Sequence, residues 1–179
     1  MSLICQTALF CGLRISEVLG LEWRHVHFDG GLLMIRKRYY RGDLDEPKSS
    51  RGVRDVSMGH LADDLRRLWP GPAEADRFVF EVRTHVGDWK RPGITRDDRA
   101  INRHFLRPTA KALKLYYPGF GFHRFRRKAV TALAAGMGPL QKARSVGHGK
   151  ADMSLHYSLD DRDRQDRAVR AWQEKVMVN

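Results

Sequence analysis

The sequence is poor in cysteine, lacks long apolar runs and is short of acid. Its two cysteines, Cys5 and Cys11, lie six apart in an apolar helical stretch. That argues against a disulfide framework or a thiolate metal site. Two free thiols in a core suit a reducing, cytoplasmic setting. No apolar run approaches the roughly 20 residues of a membrane span, so no membrane partner is expected. The opening MSLICQTALF has neither a basic region nor a clean cleavage site, which argues against a secretory signal. It starts inside an apolar periodic segment with almost no leader, which suggests a truncation upstream that has removed another domain. Acid is short relative to base: 21 Asp and Glu face 33 Lys and Arg, for a net charge of +12. Such a surface attracts polyanions. Arg heavily outnumbers Lys, and the planar guanidinium is the better bidentate partner for phosphate.

What is present suffices for one domain, residues 1–179, with 42% hydrophobic residues and no internal repeat or linker. Leu3, Ile4, Ala8, Leu9 and Cys11 predict a buried helix ended by Gly12. Ser16 is expected to cap a short helix running to about Leu21. That leaves Arg14 at a helix junction, beside free backbone N–H groups suited to a phosphate. From His25 to Met58 the period changes to two. Leu32–Ile35, Tyr39-Tyr40 and a return through Val53, Val56 and Met58 predict three antiparallel strands. A long basic connection carrying Lys48 and Arg51 joins the last two. Leu61, Leu65, Leu68 and Trp69 predict a further helix. Another is outlined by Ile101, Phe105, Leu106, Ala110, Leu113 and Leu115, kinked at Pro108. Ala168, Val169, Trp172 and Val176 share one face of a last amphipathic helix, expected to pack mainly on its own domain. The fold class is therefore α+β: predominantly α-helical, with a small three-stranded antiparallel sheet.

The stretch His123–Tyr157 carries the chemistry. His123 and Arg126 stand three apart at a helix start; after more helical pattern come Gly147-His148, and nine residues later Tyr157. Two imidazoles, a guanidinium and a phenol form a kit for handling a phosphodiester. Other candidates read as ordinary residues. His25 and His27 alternate on a strand with no third ligand near them in sequence, so no metal is expected there. His60, His85 and His104 read as surface residues, and the rival phenols Tyr39, Tyr40, Tyr116 and Tyr117 as packing residues.

Arg14, Lys48, His123, Arg126, His148 and Tyr157 form an ordered series. Gly12-Leu13-Arg14-Ile15-Ser16-Glu17, Pro47-Lys48-Ser49-Ser50-Arg51, His123-Arg124-Phe125-Arg126 and Gly147-His148 with Tyr157 together resemble the catalytic domain of the tyrosine recombinases, or phage-type integrases. The resemblance spans nearly the whole chain. Phe125 stands where the family often has Leu, and Arg127-Lys128 follow where it commonly has His or Thr. The family usually carries a preceding helical DNA-binding domain, which this chain is expected to lack.

The resemblance implies a DNA strand transferase whose partner is duplex DNA and which needs no metal or other cofactor. Tyr157 would be the nucleophile, a poor one at neutral pH because a phenol titrates near about 10. Arg14, Arg126 and His148 would hold the charged non-bridging oxygens, Lys48 would protonate the leaving 5′-oxygen, and His123 would assist the phenol. Glu17 would orient the Arg14 site, and Arg51, Arg124 and Arg127 would contact DNA. Dimers or tetramers are expected on DNA, with residues 160–179 a possible contact between copies. A DNA-binding remnant without catalysis and a type IB topoisomerase are the alternatives.

Overall fold

The computed structural model describes residues 2–47, 52–81, 95–136 and 159–177. Helix α1 (Ser2–Phe10) buries Ile4, Thr7, Ala8 and Phe10. The chain turns at Gly12, whose φ of +61° is a left-handed conformation that glycine adopts without strain. Helix α2 (Ile15–Leu19) follows, capped by Arg14 rather than by Ser16, because the reversal at Gly12 sets Arg14 in the extended cap conformation.

The sheet has three antiparallel strands, but not the three expected. Its order is β1 (Val26–His27), β2 (Leu32–Ile35), β5 (Arg54–Ser57). Tyr39 and Tyr40 lie instead in a separate two-stranded hairpin, β3 (Arg38–Tyr40) with β4 (Asp43–Asp45). Inserting this hairpin between β2 and β5 leaves the edge of β2 to β1. His25 ends a 3₁₀ turn and only His27 is on a strand, so the two do not alternate on one face. In the sheet Leu33 pairs with Val56 and Ile35 with Arg54. Residues 54 and 56 therefore point to the same side. Val53, expected inward, is exposed, and Arg54 is buried in its place.

Beyond α3 (Leu61–Leu68), helices α4 (Asp98–Ile101) and α5 (Arg107–Ala112) are joined by a π-helical stretch, Asn102–Leu106. This is how the helix accommodates Pro108, which has no N–H and would crowd the carbonyl four residues back. The wider turn changes the buried period: Ile101 is followed inward by Leu106, five residues on, and then by Ala110. Phe105, Leu113 and Leu115, expected on the core face, are exposed.

Helix α6 (Phe122–Gly136) lays Phe122, Arg126, Ala129 and Leu133 against the core. The short helix expected over Leu140–Val146 lies outside the described residues. Helix α7 (Leu159–Met177) packs on its own domain, with Val169 and Trp172 buried. It is held by polar contacts as well. Ser57 Oγ donates to Asp166 (2.6 Å), the His60 backbone N–H donates to Gln173 Oε1 (2.7 Å), and Gln173 Nε2 donates to the Met58 carbonyl (2.9 Å). Both cysteines are free, and burial pushes the Cys11 thiol up to about 12 against the opposing effect of Arg54. Among the described residues no helix is long and apolar enough to cross a membrane.

Candidate active site

At the centre of the site is a buried carboxylate. Glu17 stands at the third position of α2, where its side chain folds back on the helix start. Its Oε2 accepts the Arg14 backbone N–H at 2.9 Å, and its Oε1 accepts Arg14 Nη1 at 2.8 Å. Of the backbone N–H groups at this junction, that of Arg14 itself is taken by Glu17. The full positive charges at the site are those of its guanidinium groups.

Arg54 reaches Glu17 from β5 with a two-pronged contact, Nη1 to Oε1 at 3.1 Å and Nη2 to Oε2 at 2.9 Å. Its Nη1 also donates to the Gly52 carbonyl at 3.0 Å. Arg126 arrives from α6, with Nη1 donating to the Gly12 carbonyl at 2.6 Å and lying 3.8 Å from Glu17 Oε2. Glycine suits position 12 chiefly because of its positive φ; a Cβ there would come to 3.4 Å from the Cβ of Ala129, a close but ordinary contact.

One carboxylate therefore gathers three arginines from three elements. Burial alone would raise the Glu17 carboxyl, but the Arg54 hydrogen bonds and charge, the Arg14 N–H and the Arg126 charge outweigh it and hold it at about 2. Burial pushes Arg126 down to about 10; Glu17 opposes the shift, while Arg14 and Arg54 add to it. It remains a cation at neutral pH. The three differ in what they present. The side chain of Arg54 is 5% exposed and that of Arg126 also 5%, whereas Arg14 is 48% exposed. Arg14 faces outward, and the other two supply charge from beneath.

In front of Arg14 is a cleft of about 300 Å³, lined by Arg14, Ser16, Glu17, Arg38, Tyr40, Pro47 and Gly52. The guanidinium of Arg38 is tied by Nη2 to Asp45 at 2.6 Å and by Nε to the Glu46 carbonyl at 3.2 Å. A cleft of this size, with the Arg14 and Arg38 guanidinium groups in its lining, suits a small anionic group such as a phosphodiester.

Of the residues expected from the sequence, Arg14, Glu17 and Arg126 come together. His123 lies one helical turn before Arg126 but on the solvent side of α6, exposed like Arg124 and Arg127. Lys48, Arg51, His148 and Tyr157 lie outside the described residues. Arg54 is the residue that sequence reasoning missed. The signal was available, because position 54 shares strand parity with Val56 and Met58, whereas Val53 does not. Among the described residues no group of three His, Cys, Asp or Glu is placed to hold a metal ion.

No family model and no curated protein matches the sequence. Solved structures do. The Tn1549 transposon integrase in complex with transposon right end DNA is 21% identical, covers 98% of this chain and superposes with a TM-score of 0.61. The same integrase with a circular intermediate DNA gives 22% identity, 97% coverage and a TM-score of 0.62. The match takes in 58% and 57% of those chains, so this chain spans somewhat over half of the integrase fragments it resembles. The helical domain with its small antiparallel sheet, closed around one carboxylate and three arginines, has the integrase catalytic-domain fold.

Proposed function

We propose that this chain is the DNA-cleaving and rejoining domain of a tyrosine recombinase, acting in site-specific recombination or integration. One observation carries the reading: Arg14 and Arg126, far apart in sequence and each inside a recombinase-like box, converge on Glu17. In the proposed reaction Tyr157 Oη attacks a DNA phosphorus, the bond from phosphorus to the 5′-oxygen breaks, and a 3′-phosphotyrosyl link forms. His123 takes the phenolic proton, and Lys48 gives one to the departing 5′-oxygen. Arg14, His148 and the buried charge of Arg126 stabilise the non-bridging oxygens, so side chains supply the positive charge. The reverse steps, with a 5′-hydroxyl from another strand, rejoin the DNA and conserve the bond energy. Exchange between duplexes requires copies of the chain to assemble on DNA. The integrase complexes with DNA support duplex DNA as the partner.

The test uses a pool of nicked duplexes of random sequence, because the target site is unknown. Wild-type protein is expected to give a covalent protein–DNA adduct that survives denaturing electrophoresis, and sequencing the attached strands identifies the site. Tyr157→Phe is expected to abolish the adduct while leaving DNA affinity within about threefold. An adduct that persists in Tyr157→Phe would mean a different nucleophile. DNA binding with no adduct from the wild type would leave only a DNA-binding module.

A further inference from the structure

Arg54 is a cation that the proposed chemistry does not use, buried within the site. Its guanidinium faces inward, 5% exposed, and both Nη atoms are engaged by Glu17, with the Gly52 carbonyl sharing one of them. It is therefore not placed to touch a substrate. What it touches has consequences in two directions. Through Glu17 it fixes the carboxylate that takes both the backbone N–H and Nη1 of Arg14. Through the Gly52 carbonyl it ties down the end of the connection that carries Lys48, four residues earlier in the chain. We propose that Arg54 is a positioning residue: its fork holds Glu17 in the rotamer that aims Arg14 into the cleft.

The physical argument rests on geometry and desolvation. A carboxylate with 1% of its side chain exposed needs fixed donors to stay charged in place. Arg54 meets it with two parallel N–H contacts, the arrangement with the strongest directional constraint among ion pairs. Arg14 holds Oε2 of Glu17 through its backbone N–H but reaches Oε1 only with one Nη from a half-exposed side chain, so the buried donor on Oε1 comes from Arg54. If Glu17 swings, Arg14 loses its aim. A displacement of about 1 Å at a group that binds the reacting phosphate can reduce rate on the order of 100-fold.

This inference rests on the strand-cleavage reading, and its test separates the two. On the duplex recovered from the random pool, adduct formation is measured with an ordinary scissile phosphate and with a neutral methylphosphonate in its place. The methylphosphonate lacks one of the charged oxygens that Arg14 would meet. Arg54→Met is expected to slow cleavage of the phosphate about 100-fold and of the methylphosphonate less than about fivefold. Arg54→Lys, which keeps the charge but not the fork, is expected to lie between wild type and Arg54→Met on the phosphate, and it serves if Arg54→Met fails to fold. Equal losses on both substrates, or a phosphate rate within about threefold of wild type, would overturn the proposal. If wild type forms no adduct at all, the cleavage reading fails, and Arg14 itself then decides the positioning claim. At 20.6 kDa the chain is small enough to follow the Arg14 side chain by NMR. Arg54→Lys is expected to free the Arg14 Nη1 contact with Glu17, so that rotation of the Arg14 guanidinium about its Cζ–N bonds speeds up and its Nη–H signals broaden and merge; unchanged signals would sink the claim.

Discussion

Glu17 carries more of this site than any residue expected to react. Its depressed pKa is a statement about stability as well as charge. The unfolded carboxyl titrates near 4.5 and the folded one at about 2. The folded state therefore gains from the ionised form; the gain is complete above the unfolded pKa and is lost as pH falls through the folded one. Two and a half pH units correspond to about 3 kcal/mol. Glu17→Gln removes the anion but leaves Arg54 buried, so it should lower unfolding free energy at pH 7 by about 3–5 kcal/mol. Urea unfolding at several pH values checks both claims. Between pH of about 5 and about 2 the wild type should lose the 3 kcal/mol that the variant no longer has, so the two curves converge. Parallel curves would show that the Glu17 carboxyl titrates alike in the folded and the unfolded protein, with no stabilisation from its ion pairs. The sequence made Arg14, Glu17 and Arg126 legible because each sits in a short motif. Arg54 was not, because an arginine beside a valine on a strand reads as a surface cation until parity with Val56 and Met58 is counted.

Between the elements, the docking of α7 on β5 is the most exacting contact. Ser57 at the end of β5 meets Asp166, and the Met58 and His60 backbone groups in the turn that follows meet Gln173, so α7 is tied to the strand end and its turn. Gly59 makes that approach possible. Its φ is +54°, and a Cβ there would fall 2.2 Å from Gln173 Oε1 and 2.9 Å from Val169 Cγ1. Gly59→Ala should therefore destabilise the domain by about 3 kcal/mol, from left-handed strain and from displaced packing. Gly31→Ala is the control, with a similar φ of +61° and nothing within 4 Å; it should lose only about 1 kcal/mol. Equal losses would mean that α7 does not pack closely over Gly59. The apolar face of α7 was readable from its spacing, whereas its polar contacts were not, since nothing local marks Gln173 as buried. The stretch around Pro108 failed for a different reason. A period of 3.6 places Phe105 inward beside Ile101, but the π stretch replaces that step with one of five and brings Leu106 in instead.

For the whole molecule, the shortage of acid noted in the sequence is concentrated in one part of the fold. From Arg99 to Gly136 there is no Asp or Glu. Arg103, Arg107 and Lys111 recur every four residues, all exposed, and Arg124, Arg127 and Lys128 are exposed on α6, the helix that brings Arg126 to the site. Lys111 and Arg124 lie over the rings of Tyr116 and Tyr117, at 5.3 and 5.4 Å from their centroids. A net charge of +12 could have been spread evenly, which would attract polyanions without orienting them. An acid-free run over α5 and α6 instead leaves unopposed positive charge on the exposed surface of those two helices, which makes that surface attractive. If that side tracks a DNA backbone, each phosphate it neutralises should steepen the fall of affinity with salt by about 0.9 on a log–log plot. Fluorescence anisotropy with a labelled duplex, titrated across a range of sodium chloride, measures the slope. Replacing Arg103, Arg107 and Lys111 together by Gln should make it shallower by about 2 to 3, whereas the same replacements at Arg66 and Arg67 on α3 should leave it nearly unchanged. A slope that does not respond to the first set would place the DNA on another face, and the acid-free run would then need a different polyanion to explain it.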